Sequence, residues 1–418
     1  MKKRTLLSLL LLPALLAGCA PSAAWRPAAG VTALTTAEEF PGDRADFQSQ
    51  PQADAAIGAL GAELLRAVRT PGENTLLSPL SITLALSMTA NGAAGDTLAE
   101  FEALLGAEVD VLNENSGSLL DDYLALEGST ESAIANSLWM DDGLEAEEEF
   151  LEHCAAFYRA EVYQANLPTE ETRAAVNDWI GRVTRGMIPQ MLSQPPREDA
   201  ALLLVNALYM KNTWAEEFDA SDTRPRVFTA AGGAETEIDF LFNGVRTERY
   251  FRTENAAGAV LPYDDGRLAF VAVLPDGGLD AWLEGLDGET FPALIGAAEE
   301  TETARDLPRC EAEWGGGLTD ALRALGLDAA FDPARADFSR MGTAGGAPLF
   351  LASVDHRAKI EVTETGTEAA AATVVTMPAA GEAPGDPPVE LVFDRPFCYA
   401  IVDLERGVPL FLGTFEAP

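Results

Sequence analysis

The chain has 418 residues, enough for one large or two ordinary domains, and 47% of them are hydrophobic, the share expected of a protein with a packed core. It carries 67 acidic against 28 basic residues, a net charge of −39. Such a surface repels phosphates and excludes nucleic acid as a partner, while it favours solubility and attraction to basic partners.

In chain order, Met1-Lys2-Lys3-Arg4 is a basic start, and Leu6 to Leu16 is an apolar stretch too short to span a bilayer with ease. Leu16-Ala17-Gly18-Cys19 then resembles the bacterial lipobox, whose cysteine is lipidated when the leader is removed. An ordinary cleaved signal followed by a chance cysteine is the alternative. The expected division is a leader over 1–18, a flexible tether over 19–52 rich in Ala, Pro, Thr and Gly, and one domain over 53–418. The expected location is extracellular, at the cell surface, with acyl chains on Cys19 in the membrane.

Residues 53–68 carry Leu60, Leu64, Leu65 and Val68 at helical spacing. In Asn74-Thr75-Leu76-Leu77-Ser78-Pro79-Leu80-Ser81-Ile82, Ser78 can cap a helix and Pro79 can occupy its first turn, with Asn91-Gly92-Ala93 closing it. Leu202 to Met210 is an apolar run interrupted by Asn206, which reads as a buried central strand. An unpaired amide there costs about 1–3 kcal/mol, so Asn206 needs a partner, and His356 is the candidate. Near the end, 393–397, 400–403 and 409–415 read as three strands.

Two histidines occur, His153 and His356, and no HExxH, GxSxG or GxxxxGK[ST] run is present. No catalytic residue, metal-ligand set or cofactor loop is singled out, so an enzyme reading rests on nothing specific, a surface enzyme with an uninformative site stays as a rival, and no metal or cofactor is expected. Cys154, Cys310 and Cys398 are an odd set with no CxxC pair and read as buried free thiols.

The segment Glu364-Thr365-Gly366-Thr367-Glu368-Ala369-Ala370-Ala371-Ala372-Thr373 follows the β-like Lys359-Ile360-Glu361-Val362. By composition an alanine run is first of all a helix former. As a strand it would place Thr367, Ala369, Ala371 and Thr373 on one face, all small or β-branched, with Glu368 on the other.

This segment resembles the hinge of inhibitory serpins, the serine protease inhibitors that insert a loop into a sheet. The blocks SPLSI (78–82) with ANGA (90–93), ANSLW (135–139), VNDWI (176–180), LVNALYMKNTW (204–214), ADFS (336–339) and DRPF (394–397) resemble serpin blocks in the same order. The resemblance runs from about residue 53 to the end and implies an α+β serpin fold: three β-sheets, roughly eight or nine helices and an exposed reactive-centre loop over about 364–390.

It implies a hydrogen-bonded group of Ser78, Ser81, Asn206 and His356 beneath the opening sheet, with Trp214 where insertion begins. Family spacing places the cleaved bond at Ala380 and Gly381, with Met377 and Ala379 as fallbacks, because residues 381–388 make the far side about five residues longer than the family pattern. The implied activity is irreversible, suicide-substrate inhibition of a serine protease in a covalent one-to-one complex, formed by a monomer. Small residues at the bond suit an elastase-like pocket. The alternatives are a non-inhibitory serpin acting as a surface binding protein, or an inhibitor of a cysteine or subtilisin-like protease.

Overall fold

The computed structural model describes residues 30–35, 47–126, 128, 130–198, 200–345, 348–367 and 387–418. The leader, Cys19, the hinge from Glu368 to Thr373 and the bond candidates Met377, Ala379, Ala380 and Gly381 lie outside these residues. So does the side chain of Asn206.

Among the described residues the strands form three sheets and nine α-helices surround them. The first sheet runs, in spatial order, β1 (Val31–Thr35), β5 (Glu161–Ala165), β3 (Glu131–Asp141), β6 (Leu202–Thr213), β15 (Gly366–Thr367), β14 (Asp355–Val362) and β12 (Cys310–Gly317). The second runs β16 (Val389–Val392), β11 (Glu299–Pro308), β8 (Glu235–Arg252), β9 (Ala256–Pro262), β10 (Leu268–Pro275), β17 (Phe397–Asp403), β18 (Pro409–Phe415) and β2 (Thr75–Leu77), with β7 (Arg224–Thr229) paired to β8. β13 (Gly342–Thr343) and β4 (Glu145–Ala146) make a small third ladder.

The helix Pro79–Ala90 is buried at every position and touches both large sheets. It has no polar face, as its run of Leu, Ile, Ala and Met requires. Ser78 caps it by accepting from the Ser81 amide at 3.2 Å, which satisfies one of the free first-turn donors. The helix Pro51–Val68 packs so closely that a Cβ at Gly61 would fall 2.5 Å from the Pro79 ring.

In the second sheet β10, β17 and β18 are buried along their whole length. Both faces are covered, so their sequences are continuous apolar runs instead of alternating ones. The end of the chain is clamped: Arg69 Nη2 donates to Glu416 Oε2 at 2.8 Å, and the Gly72 amide donates to the same oxygen at 2.7 Å.

Two sequence expectations change. Val31–Thr35, placed in the tether, is an edge strand antiparallel to Glu161–Ala165. Residues 393–397 are not a strand as a whole: Phe393–Pro396 connects β16 to β17, which starts at Phe397. Pro396 has no amide proton for a ladder, and the Asp394 carbonyl instead accepts from the Thr229 amide at 2.8 Å.

Candidate functional site

Alternate residues of β14 point inward: His356, Ala358, Ile360 and Val362 are buried. The chain then turns back on itself. Thr363 donates from both its amide and its hydroxyl to the Gly366 carbonyl, at 2.9 and 3.0 Å. The returning pair Gly366–Thr367 is β15, antiparallel to both neighbours, with Thr367 opposite Val362 on one side and Asn212 on the other. Among the described residues β6 and β14 share no register pair, and β15 alone bridges them. The two residues of β15 are thus seated between two strands that form no ladder with each other.

The turn that delivers those two residues, and Thr367 itself, are held from several directions. The Trp214 amide donates to the Thr365 carbonyl at 3.0 Å, and its indole N–H donates to the Thr363 carbonyl at 2.9 Å. The Phe218 amide donates to the Glu364 carbonyl at 2.8 Å. The Glu364 carboxylate accepts from the Thr223 hydroxyl at 2.9 Å and lies 3.8 Å from Arg309 Nε. Thr367 is fully buried, its hydroxyl 2.6 Å from that of Tyr263, whose ring stacks on Trp214 at 4.8 Å. A Cβ on Gly366 would fall 2.0 Å from the Asn212 carbonyl oxygen, so only glycine fits between the strands.

Deeper in the sheet, the Ser78 backbone amide donates to His356 Nε2 at 3.1 Å. That bond makes Nε2 the unprotonated nitrogen and leaves the ring proton on Nδ1. Burial pushes the imidazole down to about 3, so the ring is neutral at ordinary pH. The expected pairing of His356 with Asn206 is thus not what Nε2 makes; its donor is the helix cap. Ser81 Oγ is buried and has no hydrogen-bond partner among the described residues. The structure brings Ser78, Ser81 and His356 together, and puts Trp214 about the hinge. Asn206 is in β6, paired across to Asn136.

Sequence reasoning missed Tyr263, Thr223, Phe218, Asn212 and Arg309. Asn212 lies inside a quoted block but carried no signal of its own, and the others are common residue types far from the hinge in sequence. Among the described residues no group of three or more His, Cys, Asp or Glu could hold a metal ion. Cys154 and Cys398 are buried thiols, while Cys310, expected to be buried, is partly exposed at the start of edge strand β12.

Residues 55–418 match the family described as Serpin (serine protease inhibitor). Human serpin B8 is 33% identical over 82% of this chain and 93% of its own. The crystal structure of a thermophilic serpin, tengpin, in its native state superimposes with a TM-score of 0.85 at 29% identity, covering 92% of this chain and all of that one. The latent state of tengpin gives 0.76 over 88% of this chain and 99% of its own.

Proposed function

The chain belongs to the serpin family, the serine protease inhibitors, and from that premise we propose that it is an irreversible suicide-substrate inhibitor of an elastase-like serine protease. The observation that carries this reading is the Gly366–Thr367 strand seated between β6 and β14 where those strands do not pair.

The register of β15 fixes where further residues would go. Continuing antiparallel from Thr367, Ala369 meets Ile360 and Met210, Ala371 meets Ala358 and Leu208, and Thr373 falls between His356 and Asn206. Residues directly opposite share a face, so these three side chains join Thr367 on the side where Ile360, Ala358 and His356 are buried. That space is already lined by Met210 and Leu208, so the run must be small. Glu368, Ala370 and Ala372 take the other face.

In the proposed reaction the protease serine attacks the Ala380 carbonyl. The Ala380–Gly381 bond breaks, Gly381 leaves as a new amino terminus, and Ala380 is held as an ester on the enzyme. The freed arm then fills the gap. Roughly 14 residues inserting, each adding a hydrogen bond worth ~0.5–1.5 kcal/mol, release on the order of 10 kcal/mol. They carry the enzyme about 45 Å, at ~3.3 Å per residue. Distortion of the protease then blocks deacylation. The inhibitor is read as a monomer, secreted and held at the cell surface by lipid on Cys19; the order of basic start, apolar stretch and cysteine supports the anchor.

Incubation with pancreatic or neutrophil elastase tests the trap. A band of summed mass that survives SDS, together with a nicked form that melts well above the intact one, is expected. Cleavage with neither a complex nor a rise in melting temperature would sink the proposal.

A further inference from the structure

The edge strand Val31–Thr35 fixes where the N-terminal segment leaves the body. Val31 pairs with Ala165, Ala165 pairs with Asp141, and Met140 pairs with Leu202. These residues form one row across the first sheet. The hinge occupies the opposite end, where Gly366 pairs with Thr213. Leu202 and Thr213 are eleven residues apart on the same strand, which is about 36 Å at ~3.3 Å per residue. The chain therefore enters the domain at the pole farthest from the hinge.

β1 also shortens the reach of the anchor. Composition gives a tether over 19–52, but pairing of Val31 with Ala165 leaves eleven residues, 20–30, between Cys19 and the body. Fully extended, these span at most roughly 40 Å. Resting on the reading of Cys19 as a lipid anchor, we propose that the pole formed by Val31, Ala165 and Asp141 faces a lipid bilayer and that the hinge points away from it.

Asp142, Glu145, Glu147, Glu148 and Glu149 are exposed beside this row, following β3. They repel anionic headgroups and hold the body off the lipid at the end of its tether instead of flat upon it. The bait thus meets enzymes arriving from solution. Loop insertion then carries the captured enzyme toward the lipid-facing pole. A protease of about 200 residues has a radius of gyration of about 16 Å, so a reach of at most roughly 40 Å would leave room for it.

The test uses the full lipidated chain on vesicles of phosphatidylcholine and phosphatidylglycerol that contain an acceptor-labelled lipid. A donor dye is placed on D142C, at the row of Ala165, or on D222C, next to the Thr223 that holds Glu364. Cys154 and Cys398 are buried, and partly exposed Cys310 is replaced by serine (C310S) in both proteins, so the introduced thiol takes the label. Energy transfer several-fold stronger from position 142 than from 222 is expected. Equal or reversed transfer from vesicle-bound protein overturns the orientation and leaves both the anchor and the trap standing. Protein that binds vesicles no better than C19A overturns the anchor and this inference together, while the elastase assay still decides the trap.

Discussion

The two large sheets treat their central strands in opposite ways. In the second, β10 pairs β17 over six consecutive residues and β17 pairs β18 over six more, and all three strands are buried throughout. In the first, the only ladder between β6 and β14 among the described residues runs through the two residues of β15, and polar contacts from Trp214, Phe218 and Thr223 secure the turn Thr363–Thr365 before them while Tyr263 meets Thr367. The second sheet has reached its final pairing; the first keeps unpaired strand edges in reserve. Under the proposed trap, the free energy released on insertion would be held between β6 and β14.

Thr367→Arg should break the contrast most completely. Thr367 is fully buried, and a guanidinium placed there without a partner costs several kcal/mol. The arm cannot enter, so the variant is expected to be cut at the normal rate while the SDS-stable complex is lost. Retention of the complex would mean that insertion does not start at this residue. Phe411→Ala, in the finished sheet, sharpens the same comparison from the other side. Removal of that buried ring should lower stability by about 3–5 kcal/mol. The loss should be alike in intact and nicked protein, so that the gap between their denaturation midpoints is unchanged; a change in that gap would show that the second sheet shares in the stored energy.

The smallest effect is set by pH. His356 has a folded pKa of about 3 against an ordinary value of 6.5, so between these values the unfolded chain binds a proton that the folded chain does not. Stability is therefore intact above pH 6.5 and falls as pH drops toward 3. At pH 5 the loss is about 2 kcal/mol, from ~1.36 kcal/mol per unit over roughly 1.5 units. Denaturant midpoints at pH 7 and pH 5 should show a difference that shrinks in H356Q; an equal difference in both proteins would remove His356 as its source.

Much of this architecture is legible in local chemistry. Ser78 and Pro79 announce their helix because a cap and a first-turn proline act within a few residues. Leu202 to Met210 declares a buried strand by its apolarity. β1 is different. Val-Thr-Ala-Leu-Thr is five ordinary residues in an Ala- and Pro-rich stretch, and its strand character comes from an edge supplied by Glu161–Ala165, far along the chain. The hinge contacts were hidden for the same reason: Tyr263 lies 104 residues from Thr367, and no spacing rule links a tyrosine to a threonine across that separation. His356 was singled out as the partner of Asn206, but the donor to its Nε2 is a backbone amide, which every residue except proline possesses and which therefore leaves no mark in sequence.

The position of the bait in the chain has a further consequence. The described residues after it are tied into the second sheet: β16 lies beside β11, β17 is flanked by β10 and β18, and Glu416 is gripped by Arg69 and the Gly72 amide. Severing the bait therefore makes two polypeptides but one particle. A sizing column run in native buffer would report no change, and the short C-terminal fragment would separate only under conditions that dissolve the whole protein.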